Sequence, residues 1–490
     1  MSTDRSGPAE HTELAEHADA AERTDAAERS DAAKRFRRGL ATTIGVLAVA
    51  TVALGAASLA QGPKLADAAV AVDRVTRLAD SRLVLELNQP VERVDGDVVV
   101  TPAEEAALEV DGRRLILSFE RPLPYDEEIA VSITGVVGTA QSAASTVEYR
   151  FTTPDEPVFT LLRRSPDGHA DVVRRSTVGD PTPEDVLEAP RLRSFAHAGD
   201  VIVAASIGDD DTDTLLVTGL GDETQSLALP VPGWVQSIRG STTQPLIAFT
   251  ATAQDPADAE WGDRSVLYTL DVSGAAATPE AVLGPDGTPM NVADWTFVPG
   301  TSSMAVLDRS GGLSLVDALG LTPAQPLGSH AELRGVLPGT SELVVADPDR
   351  GTLIDLSTGE SSDNLLPVAD LPGEAYPSGV QQLDEDGTHL LDVVLFSTDP
   401  DTGGHSIESL VVRVDQAGTV VRYTTGPDSR LLSSCVSPNG RLVAVETASA
   451  GAPEDDYRNA SSPTGRLTTV VDIDSGDVVL TQNGGFSDWC

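Results

Sequence analysis

Hydrophobic residues follow two distinct patterns along this chain of 490 residues. Residues 40–60 form one uncharged stretch, and a helix of about 20 apolar residues matches the thickness of a bilayer. After about residue 67, apolar residues alternate with polar ones in short runs separated by turn residues, which is typical of strands with one buried face. The pattern predicts one transmembrane helix followed by an all-β protein.

Four basic residues, Lys34, Arg35, Arg37 and Arg38, precede the uncharged stretch. Because a basic flank stays in the cytoplasm, we expect a disordered cytoplasmic tail over 1–38, a transmembrane helix over 39–62 and an extracytoplasmic bulk. The predicted location is the cell membrane, with a single pass. A cleaved signal peptide is the alternative, since Ser58-Leu59-Ala60 would serve as its cleavage site, but the long segment before the apolar run favours a retained anchor.

The first outer domain, over 67–154, alternates with period two in four runs: Leu83, Leu85 and Leu87; Leu115, Leu117 and Phe119; Ile129, Val131 and Ile133; Val147, Tyr149 and Phe151. Asp111-Gly112 predicts a two-residue hairpin turn. These short strands predict a small β-sandwich. The segments SRLVLELNQPVE, VVVTPA, DGRRLILSFERPLPYDEEIAVSITG and YRFTTP resemble the SbsA-type Ig-like domains of bacterial surface-layer proteins, which implies a spacer or adhesion module without catalytic residues.

The second outer domain, over 155–490, repeats a unit of about 40 to 58 residues, the period of four-stranded propeller blades. One recurring signature is an apolar strand that ends in Asp, followed by a turn with Gly, at 267–274, 352–359, 411–418 and 469–476. Asp caps such a turn and Gly supplies a positive φ. We expect these segments to be the hairpins between the third and fourth strands.

A second signature, an inner strand followed by a tight turn, opens six units: Arg193 to Asp200, Trp234 to Gly240, Val292 to Gly300, Glu332 to Gly339, Gly379 to Gly387 and Leu432 to Gly440. A seventh inner strand at 485–490 has no outer strands after it, and 158–177 supplies outer strands without an inner one. We predict seven blades, the last assembled from both ends of the domain; six or eight are the alternatives. SSCVSPNGRLVAVE and TTVVDIDSGDVV resemble TolB-like and YVTN-type bacterial propellers, which implies mainly protein or peptide contacts.

The formal net charge of −43 argues against nucleic acid and anionic headgroups as partners, since their binders need basic patches; cations or basic partners would be tolerated. The two cysteines, Cys435 and Cys490, fall in the outer part, where disulfides persist. We predict a bridge between them that clamps the closing blade, with two free thiols as the alternative.

Familiar catalytic motifs are missing from the sequence: it has no HExxH, no G-x-S-x-G, no Walker loop and no histidine pair at metal-ligand spacing. We therefore predict no catalytic residue, no metal site and no cofactor. Acidic clusters at 209–213, 399–401 and 454–456 would offer oxygen ligands to Ca²⁺, but none has calcium-loop spacing. Solvated turns are the simpler interpretation.

Three long polar insertions, Ala251 to Arg264, Ser397 to Ser406 and Ala448 to Arg466, predict a crowded loop face, and functional residues concentrate on such loops. The candidate ligand-binding residues are Trp261, His405 and Tyr457 on these loops and Trp234, Trp295 and Arg334 near the channel. Ordinary blade packing is the alternative for each of them.

The sequence favours a non-catalytic, membrane-anchored binding or scaffold protein that engages an envelope protein, a peptide or a glycan. A membrane-tethered glycoside hydrolase or lyase acting in the channel is the enzyme alternative, and it would need two carboxylates about 5–10 Å apart. A receptor that signals to the cytoplasm is a third interpretation.

Protease added to intact cells is expected to remove most of the protein, because the predicted topology puts everything after the helix outside. Immunoblotting with an antibody to the C-terminal domain measures the loss. Survival in intact cells together with digestion in lysed cells would contradict this topology.

Overall fold

The computed structural model describes residues 34, 36–52, 62–139, 143–164, 168–219, 223–254, 265–274, 277–372, 374–398, 405–457, 459–487 and 489. Helix α1 spans 36–52, and its large apolar side chains are exposed, from 48% for Leu40 to 72% for Val52. Within the described ranges, no helix combines the length and the apolar character needed to cross a bilayer. The span predicted over 39–62 is therefore not supported there; residues 1–33, 35 and 53–61 lie outside the described residues.

Two sheets form the first outer domain. Its elements are β1 (Leu65–Val70), α2 (Val72–Val75), β2 (Ser81–Leu87), β3 (Val91–Val94), β4 (Val98–Thr101), β5 (Ala106–Asp111), β6 (Arg114–Phe119), β7 (Glu128–Gly138) and β8 (Ala144–Thr152). One sheet has the order β1-β2-β6-β5; in the other, β7 pairs with β3, β4 and β8. Inward side chains of both sheets, such as Leu85, Leu117 and Ile133, share one buried core, which is the arrangement of a β-sandwich.

The four alternating runs lie in β2, β6, β7 and β8, so those strand predictions are confirmed. The β5–β6 hairpin is also confirmed, but its turn lies one residue later than predicted. Asp111 pairs with Arg114, which leaves Gly112 and Arg113 in the turn, and of these two only Gly112 has a positive φ, +59°. The identification as an Ig-like domain stays a prediction.

Seven further sheets follow along the chain. The first is three-stranded, with β9 (Pro157–Leu162), β10 (Asp171–Thr177) and β11 (Glu184–Ala189); we call it sheet 7 because it closes the ring. Sheet 1 contains β12 (Leu192–Ala198), β13 (Val201–Ile207), β14 (Asp213–Gly219) and β15 (Gln225–Ala228); sheet 2 contains β16 (Gly233–Gly240), β17 (Leu246–Ala253), β18 (Val266–Asp271) and β19 (Glu280–Ala281). Sheet 3 contains β20 (Val292–Phe297), β21 (Ser303–Asp308), β22 (Gly312–Asp317) and β23 (Gln325–Ser329).

The remaining sheets repeat the same order. Sheet 4 contains β24 (Glu332–Val336), β25 (Glu342–Asp347), β26 (Arg350–Asp355) and β27 (Ser361–Asn364). Sheet 5 contains β28 (Ala375–Gln382), β29 (His389–Thr398), β30 (His405–Asp415) and β31 (Gly418–Thr424). Sheet 6 contains β32 (Ser429–Val436), β33 (Leu442–Ser449), β34 (Leu467–Asp472) and β35 (Val478–Asn483). The six predicted inner strands are β12, β16, β20, β24, β28 and β32, so those predictions are confirmed.

Neighbouring sheets pack through shared apolar clusters, so the sheets form a ring. The clusters join sheets 7 and 1 (Phe159 with Phe195), 1 and 2 (Val203 with Val235), 2 and 3 (Ala248 with Trp295), 3 and 4 (Ala305 with Leu343), 5 and 6 (Val411 with Val443), and 6 and 7 (Leu442 with Val158). Sheets 4 and 5 are joined by a hydrogen bond of 2.7 Å from Asn364 Nδ2 to Gln382 Oε1.

The two ends of the domain meet in sheet 7. The Leu161 amide donates to the Gly485 carbonyl at 2.8 Å, and the Gly485 amide donates back at 3.0 Å. Trp489 Nε1 donates to the Pro157 carbonyl at 3.3 Å. The C-terminal segment therefore pairs with β9 through a single bridge at Gly485, on the side of sheet 7 where the inner strand was predicted, and the domain is a β-propeller.

Chain direction gives the ring two different ends. Because neighbouring strands are antiparallel, the turns after the first and third strands lie at one end, which we call the turn end. The loops after the second strands lie at the opposite, loop end. The predicted Asp-Gly hairpins are confirmed at the turn end: Asp355 accepts from the Ser357 amide at 2.8 Å, and Asp472 accepts from the Ser475 amide at 2.7 Å. Hydrogen bonds from Ser357 and Thr358 lower the pKa of Asp355 to about 2.

The sandwich packs against the turn end of the propeller. It contacts turns of four sheets through the pairs Arg77–Thr242, Leu78–Gly300, Ala79–Gly339 and Tyr125–Asn439. The Ala79 amide donates to the Gly339 carbonyl at 2.9 Å, and the Asn439 amide donates to the Tyr125 hydroxyl at 3.1 Å. Because these turns are spread around the ring, the sandwich covers the turn end of the channel.

Buried polar groups fix this domain contact. Tyr125 lies in an apolar cluster with Leu442 and Ala444 of sheet 6, and burial raises its pKa well above the usual range. Glu156 is 3% exposed and pairs with Arg77 at 3.2 Å; burial raises the pKa of Glu156, and Arg77 opposes that shift. The sequence resemblance implies a spacer, whereas the structure holds the sandwich firmly on the propeller.

Gly339→Ala is expected to weaken the domain contact. Gly339 has a φ of +72°, and an added Cβ would lie 2.5 Å from Cγ of Pro122. Gly320→Ala is the matched control, because Gly320 has a φ of +65° and no atom within 4 Å of an added Cβ. The control should lose about 1 kcal/mol in urea denaturation from backbone strain, and Gly339→Ala roughly 2 kcal/mol more from the clash. Equal losses in the two variants would contradict tight docking.

Candidate binding site in the propeller channel

The inner strands of sheets 2–6, with the last turn of the chain, surround a cavity of about 450 Å³ in the propeller channel. Its lining includes Arg239, Asp294, Trp295, Arg334, Gln381, Asp392, Ser434, Cys435 and Trp489. Gly339 also lines the cavity and contacts the sandwich, so the cavity lies toward the covered end.

A β-bulge recurs at the same level in all six complete inner strands. The register with the second strand skips one residue each time: Arg193, Gln236, Ala293, Arg334, Ser378 and Leu432. A bulge bends the strand and increases its twist. Trp234 of β16 and Tyr376 of β28 each lie two residues before the skipped residue, so they occupy equivalent positions near the loop end.

Asp392 reaches the cavity from the second strand of sheet 5. It pairs with Gly379 of the inner strand, where an added Cβ would lie 3.0 Å from Asp392 Oδ2. Ser434 Oγ donates to Asp392 Oδ1 at 2.7 Å, and Gln381 Nε2 donates to Ser434 Oγ at 2.7 Å. Burial raises the pKa of Asp392, and the bond from Ser434 opposes that shift. This network is the polar side of the cavity.

Trp295 and Arg239 form the opposite side. Trp295 is 1% exposed, packs edge-on against Phe297 at 5.7 Å and lies under the Arg239 guanidinium at 5.1 Å. Asp294 Oδ1 accepts from Arg239 at 2.9 Å and from the Trp295 amide at 2.8 Å. Trp295 borders the cavity, but most of its contacts are with neighbouring side chains of the propeller. Ordinary blade packing, the alternative considered for this residue, therefore describes most of its surroundings.

The remaining channel candidates are separated from one another. Arg334 lines the cavity and pairs with Glu332 at 3.1 Å. Trp234 is half-buried at the loop end and does not line the cavity. Trp261 lies outside the described residues. His405 begins β30, where its backbone pairs with Thr398.

Tyr457 is buried rather than displayed on its loop. It is 1% exposed, its hydroxyl bonds to Asp171, and the guanidinium groups of Arg163 and Arg191 lie 4.2 and 4.4 Å from its ring. Arg163 pairs with Asp455 at 2.9 Å, with both side chains at most 6% exposed. The ligand contact predicted for Tyr457 does not fit this burial. The loop instead locks sheet 6 onto sheets 7 and 1.

In the acidic clusters considered for Ca²⁺, arginines engage Asp213 and the three acids of 454–456, whereas Asp210 accepts from the amide and the hydroxyl of Thr212 at 3.1 and 2.8 Å. Asp213 accepts two hydrogen bonds from Arg193, at 2.7 and 3.1 Å. In the other described cluster the pairs are Glu454–Arg430, Asp455–Arg163 and Asp456–Arg191. Residues 399–401 lie outside the described residues. No group of three metal-ligating side chains occurs in the part of the chain that the structure describes.

Cys435 is buried at the end of β32, borders the cavity and is disulfide-bonded. The only other cysteine of the sequence, Cys490, lies outside the described residues. The predicted pairing of the two stays a prediction.

Sequence reasoning missed the Asp392 network and the Arg163 cluster. One usable signal was present for the first: Asp392 interrupts the apolar run at 390–396, and an acid inside a buried strand needs a local partner. Nothing comparable marks Arg163, because Asp455, its ion-pair partner, lies 292 positions further along the chain.

No protein-family model and no curated protein matches this chain. Among solved structures, it is similar to an oligogalacturonate lyase in complex with manganese, with 11% identity over 66% of this chain and 95% of that one and a TM-score of 0.38. A TolB candidate from Agrobacterium tumefaciens is 14% identical over 68% of this chain and 91% of that one, with a TM-score of 0.30. The WD40 domain of SCAP from fission yeast is 10% identical over 67% of this chain and 85% of that one, with a TM-score of 0.33. At these scores the likenesses carry no argument about ligand or activity.

Arg163→Met is expected to lower the free energy of unfolding by about 3–5 kcal/mol, since it leaves Asp455 buried without its partner. Arg150→Met is the control: its pair with Glu128 is 70% and 61% exposed, so its loss should cost less than about 1 kcal/mol. Calorimetry of both variants measures the difference. Equal melting temperatures would show that the cluster does not hold the ring closed.

Proposed function

We propose that this chain is a non-catalytic binding or scaffold protein of the cell envelope, whose propeller engages another envelope protein, a peptide or a glycan at its loop end. The observation that carries the proposal is the asymmetry of the ring. The sandwich occupies the turn end through contacts with four sheets, which leaves the loop end as the free approach to the channel.

The proposed location is outside the cytoplasm, held by the N-terminal apolar segment. Two observations support it. The side chains of Val46 and Val49 on α1 are 62% and 70% exposed, which suits a lipid environment better than water. Cys435 is disulfide-bonded, and disulfides persist mainly outside the reducing cytosol. The membrane anchor and its orientation remain part of this proposal.

The hydrolase or lyase alternative ranks below binding. A glycosidase needs two carboxylates with free oxygens that face one substrate. Asp294 and Asp392 both border the cavity, but Asp294 already accepts bonds from Arg239 and from the Trp295 amide. Both bonds end on Asp294 Oδ1, and Asp392 Oδ1 accepts from Ser434, so one oxygen of each carboxylate is held by the protein itself, which favours a structural role for the two acids.

A photo-crosslinking amino acid at Glu332, which is exposed at the loop end, is expected to capture a partner in intact cells. The matched control is Leu321, which is 78% exposed in the turn after β22, at the turn end. A higher-mass adduct on gels from position 332 and none from position 321 supports the proposal. Adducts from position 321 alone, or from neither position, would contradict it.

A further inference from the structure

We infer that a second cavity, between sheets 2 and 3, is a carboxylate-binding site that takes the C-terminal end of a peptide. This second cavity has a volume of about 220 Å³. The inference rests on the proposed function, since it takes the loop end as the place where a partner approaches. It deepens that function by naming the chemical group that the partner inserts.

The second cavity lies at the loop end of the ring. Among its lining residues, Val292 is the first residue of inner strand β20, Ser265 immediately precedes β18, and Arg309 immediately follows β21. These positions belong to the end of sheets 2 and 3 where second strands finish and inner strands begin. The second cavity also shares Arg239 and Asp294 with the channel cavity of about 450 Å³, so the two cavities adjoin.

Arg309 brings to the second cavity a positive charge that no carboxylate neutralises. Its Nε donates to Asn291 Oδ1 at 3.2 Å and its Nη2 donates to Ser265 Oγ at 3.0 Å, so neutral oxygens hold the guanidinium in place. Within the described part of the chain, Arg309 forms no ion pair and its Nη1 has no partner, in contrast to the ion-paired Arg163 and Arg193. A guanidinium held in this way offers charge-assisted hydrogen bonds to an anion.

Two other side chains of the second cavity also have N–H groups to spare. Gln236, the residue skipped at the bulge of β16, accepts from the Ser265 hydroxyl at Oε1, which leaves its Nε2 group to donate. Arg239 is held through Nη1 alone, by Asp294 and by the Trp295 carbonyl. No described residue accepts a hydrogen bond from Gln236 Nε2 or from the other nitrogens of Arg239. The second cavity therefore presents one amide and two guanidinium groups to a ligand.

These donors identify the ligand group as a carboxylate, because its two oxygens accept several hydrogen bonds at once and match the fork of a guanidinium. Acceptors are scarcer in the second cavity. Both bonds to Asp294 end on Oδ1, which leaves Oδ2 to accept, while the hydroxyls of Ser237 and Thr250 already bond to each other at 2.9 Å. The last residue of a peptide carries a carboxylate beside a single N–H donor, and this combination fits the cavity. An acidic sugar fits less well, because its hydroxyl groups need more acceptors.

The acidity of the whole protein restricts which anions reach the second cavity. The formal net charge of −43 repels polyanions. At physiological salt, however, each charge is screened over about 8 Å, so the local guanidinium groups dominate inside the cavity. A single carboxylate at the end of an otherwise neutral chain meets the attraction of the arginines without the repulsion that a polyanion meets.

The probe is the N-acetylated tripeptide Gly-Ala-Ala with a free C-terminal carboxylate, and the same tripeptide with a C-terminal amide is its matched control. Titrations followed by saturation-transfer difference NMR measure the affinity of each for the purified full-length protein. We expect the acid to bind and the amide to bind about tenfold more weakly or not at all, because the amide lacks the charge that the arginines recognise.

Arg309→Met should weaken binding of the acid about tenfold or more, since it removes the charge and the free N–H group. Arg350→Met is the control variant and should leave the affinity unchanged. Arg350 is likewise exposed and opens β26 at the loop end, but it does not line the second cavity. Near-ultraviolet circular dichroism verifies that both variants are folded.

No binding of the acid, equal affinity for the acid and the amide, or equal affinity of the two variants would overturn the inference. Tighter binding of methyl glucuronide than of the tripeptide would also overturn it, because the ligand would then be an acidic sugar. Displacement of the tripeptide by an equal concentration of acetate would do the same, since the peptide chain would then contribute nothing. Adducts at position 332 together with any of these results would leave the proposed function standing.

Discussion

The pairing of Leu161 with Gly485 decides whether this chain is a closed ring or an open stack of sheets. Each backbone hydrogen bond contributes only about 1 kcal/mol net, so the pairing itself is a small part of the stability. The pairing matters because it lies where the two ends of the propeller domain meet, between sheets 6 and 1. It keeps Phe159 against Phe195 of sheet 1 and Val158 against Leu442 of sheet 6, and without it both sheets would expose an apolar face.

The polar cluster around Arg163 and the docked sandwich depend on this closure. Arg163 belongs to sheet 7, while Asp455 belongs to a loop of sheet 6, so their buried ion pair exists only in the closed ring. Likewise, Tyr125 of the sandwich enters a cluster formed by sheets 6 and 7. Because the sandwich thereby covers one end, closure also decides from which side the channel is reached.

Local patterns predicted the elements and failed where distant residues meet. Period-two runs identified β2, β6, β7 and β8, and Asp followed by Gly identified the hairpins at Asp355 and Asp472, because turn chemistry acts over a few residues. Tyr457 was predicted as a ligand contact because polar loops are usually exposed. Its burial depends on Asp171 and Arg163, almost 300 residues earlier, and no local pattern carries that information. The inner-strand bulges were equally invisible, since the skipped residues share no chemistry.

The acidic composition of the propeller has two effects. In turns such as that of Asp355, the carboxylate accepts backbone and hydroxyl hydrogen bonds, so the charge is stabilised where it stands. The stretch 351–412, which includes Asp355, contains twelve acidic residues and no lysine or arginine, and the repulsion among their charges opposes compactness. At physiological salt the electric field of these charges decays over about 8 Å. Such a field speeds and orients the approach of a charged molecule but contributes little lasting affinity. Affinity then has to come from direct contacts.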